Sequence, residues 1–248
     1  MSKYTISNSA LNAFYSGCPA RLEFFRRFSM KPRFMPKPLR FGIAVHDAIQ
    51  KDLEGSVGEV RIIAERLLNL ADKNGYQILA TEIKHFAPLT DDIDVFGIID
   101  VLALTSEGKP VIIDWKTGSY PWETTELASG ELVTMKARGW QGAIYTLPPY
   151  KMPIEWKEWP EELHYLTAPT NGNAQIHKYY ACEEDVENLR RAATMMKEAV
   201  DGGGLPKNIG YECRDCDWQK VCWQTPGWDK YYNVRPGAKE EDADADAT

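Results

Sequence analysis

The most constraining feature of this sequence is a pair of short apolar runs, each of which carries an aspartate. The first run, residues 95–104, contains Asp100, and the second, residues 111–113, leads directly into Asp114 and Lys116. A polar segment with Gly and Pro separates the two runs, which is typical of a β-hairpin. Strand pairing would bring Asp100 and Asp114 toward one end of the hairpin, and the period-2 geometry of a strand places Lys116 on the same face as Asp114.

Two carboxylates beside a lysine can hold a divalent metal next to a phosphate. Hard oxygen ligands suit Mg²⁺ or Mn²⁺, and a lysine can stabilise developing negative charge or orient a water molecule. A simpler alternative is that Asp100 and Asp114 end strands at a solvated edge, because an Asp-x-Lys triplet also arises by chance. The apolar residues before Asp114 favour the metal site, since an unpaired carboxylate within a buried strand would be costly.

The composition is that of a globular protein. The chain has 248 residues, 44% of them hydrophobic, which suffices for one large domain or a domain with an appendage. No apolar run reaches the ~18 residues that span a bilayer, and the N-terminus lacks the apolar segment of a secretory signal. We therefore expect a cytoplasmic protein without membrane contact, in which the five cysteines do not form disulfides.

Charge is distributed unevenly along the chain. The formal net charge is −7, and residues 237–248 carry five acids and one lysine, so we expect a disordered acidic tail there. Residues 21–40 carry seven basic residues and one acid, with phenylalanines interleaved. Such a segment could contact phosphates and stack bases, or it could be a solvated helix face over a Phe core.

The order of predicted elements indicates the fold class. We expect helices at residues 9–16, 19–28, 39–53, 57–71, 134–147 and 183–200, strands at 76–86, 163–166 and 175–181 besides the hairpin, and a loop at 31–38. This order, with no internal repeat, predicts an α/β protein with a central mixed β-sheet flanked by helices.

Four other residues could join the chemistry of the hairpin. His46 lies in an otherwise apolar helix, where it is either a packed core residue or a third metal ligand. Glu82 lies on the strand before the hairpin and could join the acids or form an ion pair with a lysine. Gln141 and Tyr145 share one helix face and could hydrogen-bond a phosphate or the site lysine, or be ordinary helix residues.

The cysteines give a second strong signal. Three thiols lie within ten residues, at Cys213, Cys216 and Cys222, and such clustering usually means a metal or a metal cluster. A tetrahedral site needs a fourth ligand, for which Cys18 and Cys182 are candidates and His177 is a weaker one. Spacing alone leaves both Zn²⁺ and an iron–sulfur cluster open. If Cys18 is the ligand, the two chain ends are clipped together and binding contributes to folding.

Taken together, these motifs resemble a known group. Cys18, His46, the Gly-x2-Asp ending at Asp100, Asp114-x-Lys116, Gln141-x3-Tyr145 and the cysteine triplet occur in that order. The set resembles the RecB-type nucleases of the PD-(D/E)xK superfamily, and more narrowly the branch with one N-terminal and three C-terminal cysteines. That branch includes the CRISPR-associated RecB-like exonucleases, the AddB nuclease domain and related phage exonucleases. The resemblance covers roughly residues 7–222.

The resemblance implies a domain plan. We expect a restriction-endonuclease-like core and a single RecB-like nuclease domain over residues 1–236, with the acidic tail at 237–248. Within the domain, residues 1–75 would be helical, residues 76–204 would form the nuclease core, and residues 205–236 would be the Cys-rich segment that clips to the N-terminus.

The resemblance also implies residue roles. The metal ligands would be His46, Asp100, Asp114 and the backbone carbonyl of Trp115. Lys116 would position the attacking water and stabilise the transition state, whereas Gln141 and Tyr145 would contact DNA or support the lysine. Glu82 remains a second-tier catalytic candidate. A 4Fe–4S cluster, rather than zinc, would be held by Cys18, Cys213, Cys216 and Cys222. Val101 stands where many relatives have Arg, so no basic contact is expected from that position.

The implied function is a Mg²⁺- or Mn²⁺-dependent DNA exonuclease. It would degrade linear ends in the 5′ to 3′ direction with a preference for single strands, in recombination, repair or phage DNA metabolism of a prokaryotic or phage-infected cell. The alternative is a DNA-holding or end-processing subunit of a larger complex, such as one for CRISPR spacer integration, and a zinc-ribbon DNA-binding protein is a third. The sequence has no P-loop, so a helicase would have to be a separate partner, as would a recombinase or an integrase. Oligomeric state, polarity and exo- versus endonuclease action are not fixed by any residue.

Overall fold

The computed structural model describes residues 3–15, 18–22, 30–32, 37–118, 123–126, 132–135, 140–153, 156, 158–202, 205, 213, 216, 222 and 232–234. The chain divides into two compact units. The larger comprises Met1–Asn8 and Lys37–Ala193, and the smaller comprises Ser9–Pro36 and Thr194–Thr248.

The described segments contain helices and strands in mixed order. The helices are α1 (Asn8–Tyr15), α2 (Lys37–Gln50), α3 (Gly58–Lys73), α4 (Gln141–Thr146) and α5 (Glu183–Asp201). The strands are β1 (Tyr4–Ser7), β2 (Met30–Pro32), β3 (Gln77–Pro88), β4 (Ile93–Leu104), β5 (Pro110–Lys116), β6 (Glu123–Glu126), β7 (Leu132–Met135), β8 (Glu162–Thr167), β9 (Gln175–Tyr180) and β10 (Tyr232–Val234). None of the described helices has the length and apolar character needed to cross a membrane.

A six-stranded mixed sheet forms the larger unit, which confirms the predicted fold class. Its strands run in the order β1-β4-β5-β8-β9, and β3 pairs with β4 as well. The β1–β4 and β5–β8 pairs are parallel, whereas β3–β4, β4–β5 and β8–β9 are antiparallel. The β4–β5 pair is the predicted hairpin, and its register aligns Val101 with Ile113, which brings Asp100 and Asp114 next to each other.

The two edges of β4 are used differently. β3 pairs with one edge along nearly the whole strand. On the opposite edge, β1 pairs with residues 93–96 and β5 pairs with residues 101–104. Neither β1 nor β5 pairs with residues 97–100, so the backbone of this short stretch is available to side chains from elsewhere in the unit.

The core lies between α2, α3 and the sheet. Small and aliphatic residues of the two helices pack against alternate residues of β4 and β5, namely Val45, Ala48, Ile63, Leu67, Val101, Ala103, Val111, Ile113 and Trp115, all of which are buried. Leu102 and Ile112 on the other sheet face are also fully buried. Both faces of the hairpin are therefore covered, as expected for strands that read as continuous apolar runs.

Two local predictions were wrong. The described residues of the helix predicted at 134–147 are helical only in α4, and Leu132–Met135 is strand β7, which pairs with β6. Val133 and Thr134 are β-branched and fit a strand well. Strand β2 (Met30–Pro32), whose last two residues fall in the loop predicted at 31–38, pairs with β10 some two hundred residues later, at Tyr232–Val234, so no local pattern could have indicated it. Residues 23–28 of the helix predicted at 19–28, and most of residues 205–248, lie outside the described residues.

A buried histidine joins α4 to β3. The His85 Nε2–H donates to the carbonyl oxygen of Ile144 at 2.9 Å, and its ring stacks on Trp159 with a centroid distance of 5.4 Å. Trp159 in turn donates from Nε1 to the carbonyl oxygen of Tyr145 at 2.8 Å. Burial lowers the pKa of His85 to about 4, because the protonated ring would be desolvated there.

We expect this histidine to make stability depend on pH. Since the folded-state pKa lies below the unfolded value of about 6.5, the stability contribution is fully present above that value and is lost as the pH falls toward the folded pKa. As the pH falls from 7.5 to 5, titration of His85 should lower the free energy of unfolding by about 2 kcal/mol. Urea unfolding gives the loss in the free energy of unfolding between the two pH values for wild type and for His85→Phe. The difference between these two losses is the contribution of His85. Equal losses in the two proteins would contradict the assignment.

Candidate active site

His46 faces the hairpin from α2. Its Nε2 lies 3.1 Å from the carbonyl oxygen of Trp115, and its Nδ1 lies 3.6 Å from Asp100 Oδ1. Burial is the main cause of a lowered pKa, so the ring is held in the neutral form that binds metals. The predicted trio of imidazole, carboxylate and backbone carbonyl is thus brought together.

Asp100 lies in the stretch of β4 that neither β1 nor β5 pairs. Its Oδ2 accepts a hydrogen bond from the Trp115 N–H at 2.8 Å, so a side chain replaces the missing backbone contact between β4 and β5. Burial, and then the neighbouring charge of Asp114, raise the pKa of Asp100 well above its usual range. Two carboxyl groups beside one lysine in a poorly hydrated place form an arrangement that favours the binding of a cation.

Asp114 is the most deeply buried acid of the site. Only 2% of its side chain is exposed, and Lys116 Nζ forms an ion pair with its Oδ2. Its Oδ1 accepts a hydrogen bond from Gln141 Nε2 at 2.6 Å. Asp114 and Lys116 do share a face, as the strand periodicity predicts, and Gln141 fixes the carboxylate from behind.

Glu82 joins His46 and Asp100 despite an unfavourable backbone. The three side chains offer ligand atoms that all lie within 4.8 Å of one another. Glu82 opposes Asp100 in the register of β3 and β4, which passes from Thr81 opposite Val101 to Ile83 opposite Ile99. Its φ is +53°, in the left-handed region that costs a residue with a Cβ about 1–2 kcal/mol. This group does not include Asp114, whose two oxygens face Gln141 and Lys116.

Tyr145 occupies the unpaired edge of β4. Its hydroxyl donates to the carbonyl oxygen of Ile98 at 2.7 Å, and a Cβ on Gly97 would overlap the Tyr145 ring. The φ of Gly97 is not positive, so the glycine is required for this close approach and not for a turn. Burial raises the pKa of Tyr145, which keeps the hydroxyl protonated as a donor.

His46, Asp100 and Trp115, three of the four predicted metal ligands, open into one cleft that Asp114 does not line. It has a volume of about 920 Å³, and its walls include His46, Glu82, Asp100, Trp115 and Lys116. Gln141 and Tyr145 are buried behind it, at 7% and 6% exposure, so they are placed to position Asp114 and β4. His85 and Trp159 hold α4 in place through hydrogen bonds to its backbone. Neither residue belongs to a recognisable spacing, so the sequence gives no signal for this role.

The cysteine triplet and Cys18 belong to the smaller unit. All four are partly buried, and none of the five cysteines, each of which is described, is in a disulfide. Cys182 and His177, the other candidates for a fourth ligand, belong to the larger unit, and Cys182 is exposed.

Comparison with known proteins identifies the family. A profile described as the PD-(D/E)XK nuclease superfamily matches residues 57–223, which contain the hairpin, α4 and the cysteine triplet. The chain belongs to the PD-(D/E)XK nuclease superfamily. The central sheet with its flanking helices is accordingly a restriction-endonuclease-like fold.

Two solved structures are similar to this nuclease-family chain. One is a crystal structure named "Putative exonuclease" from Eubacterium rectale, with 13% identity, a TM-score of 0.55, and coverage of 91% of this chain and 94% of the other. This likeness concerns the fold alone. The structure of SSO0001 has 13% identity, coverage of 90% and 87%, and a TM-score of 0.45, too low to support an argument. No curated protein has a significant match to the sequence.

The contact between Gly97 and Tyr145 can be tested by a double-mutant cycle. Gly97→Ala should destabilise the fold by about 1–3 kcal/mol, because the added methyl overpacks the site. In a Tyr145→Ala background the same change should cost close to nothing, since the two effects share one contact. Urea unfolding of the four proteins measures both values, and an equal cost in the two backgrounds would show that the contact does not constrain Gly97.

Proposed function

We propose that this chain is a metal-dependent DNA exonuclease of the RecB-like branch, which hydrolyses linear DNA from its ends. The observation that carries the proposal is the juxtaposition, in one cleft, of the His46–Glu82–Asp100 group with Lys116. Family membership supports nuclease chemistry. The direction, 5′ to 3′ with a preference for single strands, rests on the resemblance of the motifs.

The residues of the cleft fit a divalent cation such as Mg²⁺ or Mn²⁺. Carboxylate and carbonyl oxygens with one imidazole suit these metals, and His46, Glu82 and Asp100 offer ligand atoms that all lie within 4.8 Å of one another. His46, Asp100 and the Trp115 carbonyl would hold the ion, with Glu82 and Asp114 as the further carboxylates. When bound, the metal would polarise the phosphate and lower the pKa of a coordinated water.

The protein groups have separate tasks around the scissile phosphate. Lys116 Nζ would move from Asp114 toward the phosphate and stabilise the negative charge that develops there. Gln141 would keep the Asp114 carboxylate oriented during that change through its hydrogen bond. Because only 20% of the Lys116 side chain is exposed, its charge would act in a poorly hydrated place, where electrostatic effects are strong.

We further propose that Cys18, Cys213, Cys216 and Cys222 hold a 4Fe–4S cluster with a structural role. Their common membership of the smaller unit supports this, and so does the pairing of β2 with β10, which joins the same two chain segments. A cluster there would fasten the chain ends together, and its binding energy would add to folding. DNA is the expected substrate, and a helicase, a recombinase or an integrase is the expected kind of partner.

Glu82 should link metal binding to backbone strain. Glu82→Gln removes the charge and keeps the strain, whereas Glu82→Gly removes both. Without metal, the Gly variant should therefore be more stable than the Gln variant by up to about 1 kcal/mol. Both should bind Mn²⁺ more weakly than wild type in calorimetric titrations, and wild-type affinity in Glu82→Gln would exclude Glu82 as a ligand.

Lys116 is the residue whose loss should separate binding from cleavage. Lys116→Ala should leave DNA binding largely intact and abolish degradation of end-labelled linear DNA in Mg²⁺ or Mn²⁺, while the position of the label gives the polarity. Lys116→Gln, which preserves bulk beside Asp114, guards against a folding defect. Lys109→Ala is the control, since Lys109 belongs to the same hairpin and is 68% exposed.

Cleavage by Lys116→Ala at the wild-type rate would contradict the assignment. If a folded, metal-loaded wild type degraded no single- or double-stranded substrate, the chain would instead be a DNA-holding subunit of a larger complex.

The cysteines predict an optical signal. Anaerobically purified protein should show a broad absorption band at about 400 nm, and Cys213→Ala should lose it and melt at a lower temperature. Cys182→Ala is the matched control, because Cys182 is an exposed cysteine of the other unit. Colourless protein with one bound zinc would indicate a zinc site, and an unchanged melting temperature in Cys213→Ala would show that the cysteines hold no structural group.

A further inference from the structure

The cleft has an aliphatic wall that the hydrolytic chemistry does not use. Leu39, Ile43 and Ile98 line it together with the metal-ligand candidates, and they are 54%, 50% and 42% exposed. Single exposed aliphatic residues are ordinary on protein surfaces, whereas several that share one cleft indicate a contact surface. We call these three side chains the apolar wall.

Two residues of the apolar wall are near neighbours in sequence of candidate metal ligands. Ile43 precedes His46 by three residues on α2, and Ile98 precedes Asp100 by two residues on β4. Each of these metal-ligand candidates thus has an exposed aliphatic neighbour on its own element. Leu39 lies a further turn along α2, about 10 Å from His46 along the helix axis at the usual rise. The wall therefore extends away from the site over more than one nucleotide.

The charges around the cleft indicate where the phosphates and the bases of a nucleic-acid strand would lie. Lys116 lies at the metal-ligand group, and Lys37 lines the cleft where α2 begins and is exposed, so phosphates are attracted to both ends of the wall. Asp47 and Glu59 also line the cleft and repel phosphates from its remaining surface. The apolar wall itself can bind an uncharged, flat, apolar surface. The face of a nucleobase is such a surface.

We propose that the apolar wall binds unpaired nucleobases of the strand whose phosphate lies at Lys116. A paired and stacked base hides its faces inside the duplex, whereas an unpaired base exposes them. The wall therefore selects single-stranded DNA, which gives the strand preference a physical cause. Another protein is a poorer fit for the wall, because three side chains fall well short of the ~800 Å² per partner that a stable interface buries. This inference rests on the proposed nuclease function.

The test pairs a change in the protein with a change in the DNA. Ile43→Ser and Leu39→Ser are compared with the control Ile62→Ser, since Ile62 is an isoleucine on α3 that is 57% exposed and lies outside the cleft lining. The Lys116→Ala background keeps the DNA uncut. Affinities for a natural single strand and for the same strand with abasic sites are measured by fluorescence anisotropy in Mn²⁺.

Loss of the base contact should appear only when bases are present. Ile43→Ser should weaken binding of the natural strand about fivefold, the value expected for losing roughly 1 kcal/mol of apolar burial, with less than about twofold effect on the abasic strand. Ile62→Ser should change neither affinity. Equal weakening for both strands, or none for either, would overturn the inference, as would a change in oligomeric state of Ile43→Ser on light scattering.

Failure of the function itself would look different. If the protein bound no DNA, or if the Lys116→Ala background cut it, the proposed function would fail before the wall could be compared. If DNA were bound and left uncut but Ile43→Ser made no difference, only the base contact would be wrong.

Discussion

The site depends on how one edge of β4 is divided between two neighbouring strands, β1 and β5. β1 takes the first part of one edge and β5 takes the last part, and residues 97–100 between them keep backbone groups that neither strand satisfies. Buried backbone groups need partners, and here side chains supply them: Tyr145 donates to the Ile98 carbonyl of β4, and the Asp100 carboxyl accepts from the Trp115 N–H of β5. The same division that opens the sheet therefore positions an acid and explains why Gly97 has no side chain.

Charge is the second constraint on this region. Asp100 and Asp114 repel each other in a buried place, and one lysine cannot compensate both together with Glu82. Lys116 forms its ion pair with Asp114, and burial together with the charge of Asp114 raises the pKa of Asp100. In the proposed function, a bound divalent ion would relieve this repulsion and release the lysine for the phosphate, which would couple metal binding to the placement of Lys116. The left-handed backbone of Glu82 adds a local cost of the kind that clusters at functional sites.

The sequence predicted much of the larger unit because its signals are local. The hairpin, α2, α3 and α5 follow from apolar periodicity and turn residues, and the pairing of Asp114 with Lys116 follows from the strand period. Gln141 and Tyr145 were recognisable as a pair on one helix face, but their contacts were not. Strand β7 was mistaken for part of a helix, and the pairing of β2 with β10 joins segments too distant for any local pattern.

By itself, the sequence determined most elements of the larger unit, the superfamily motifs and the list of candidate ligands, because these depend on residue types at short spacings. Tertiary structure alone decided which candidates meet. It brought Glu82 from β3 to His46 and Asp100, placed Gln141 behind Asp114, and set His85 under α4. It also placed Ile43 and Ile98 on one cleft. These contacts join elements that are far apart in the chain, and only the packing of those elements around the divided edge of β4 fixes their distances.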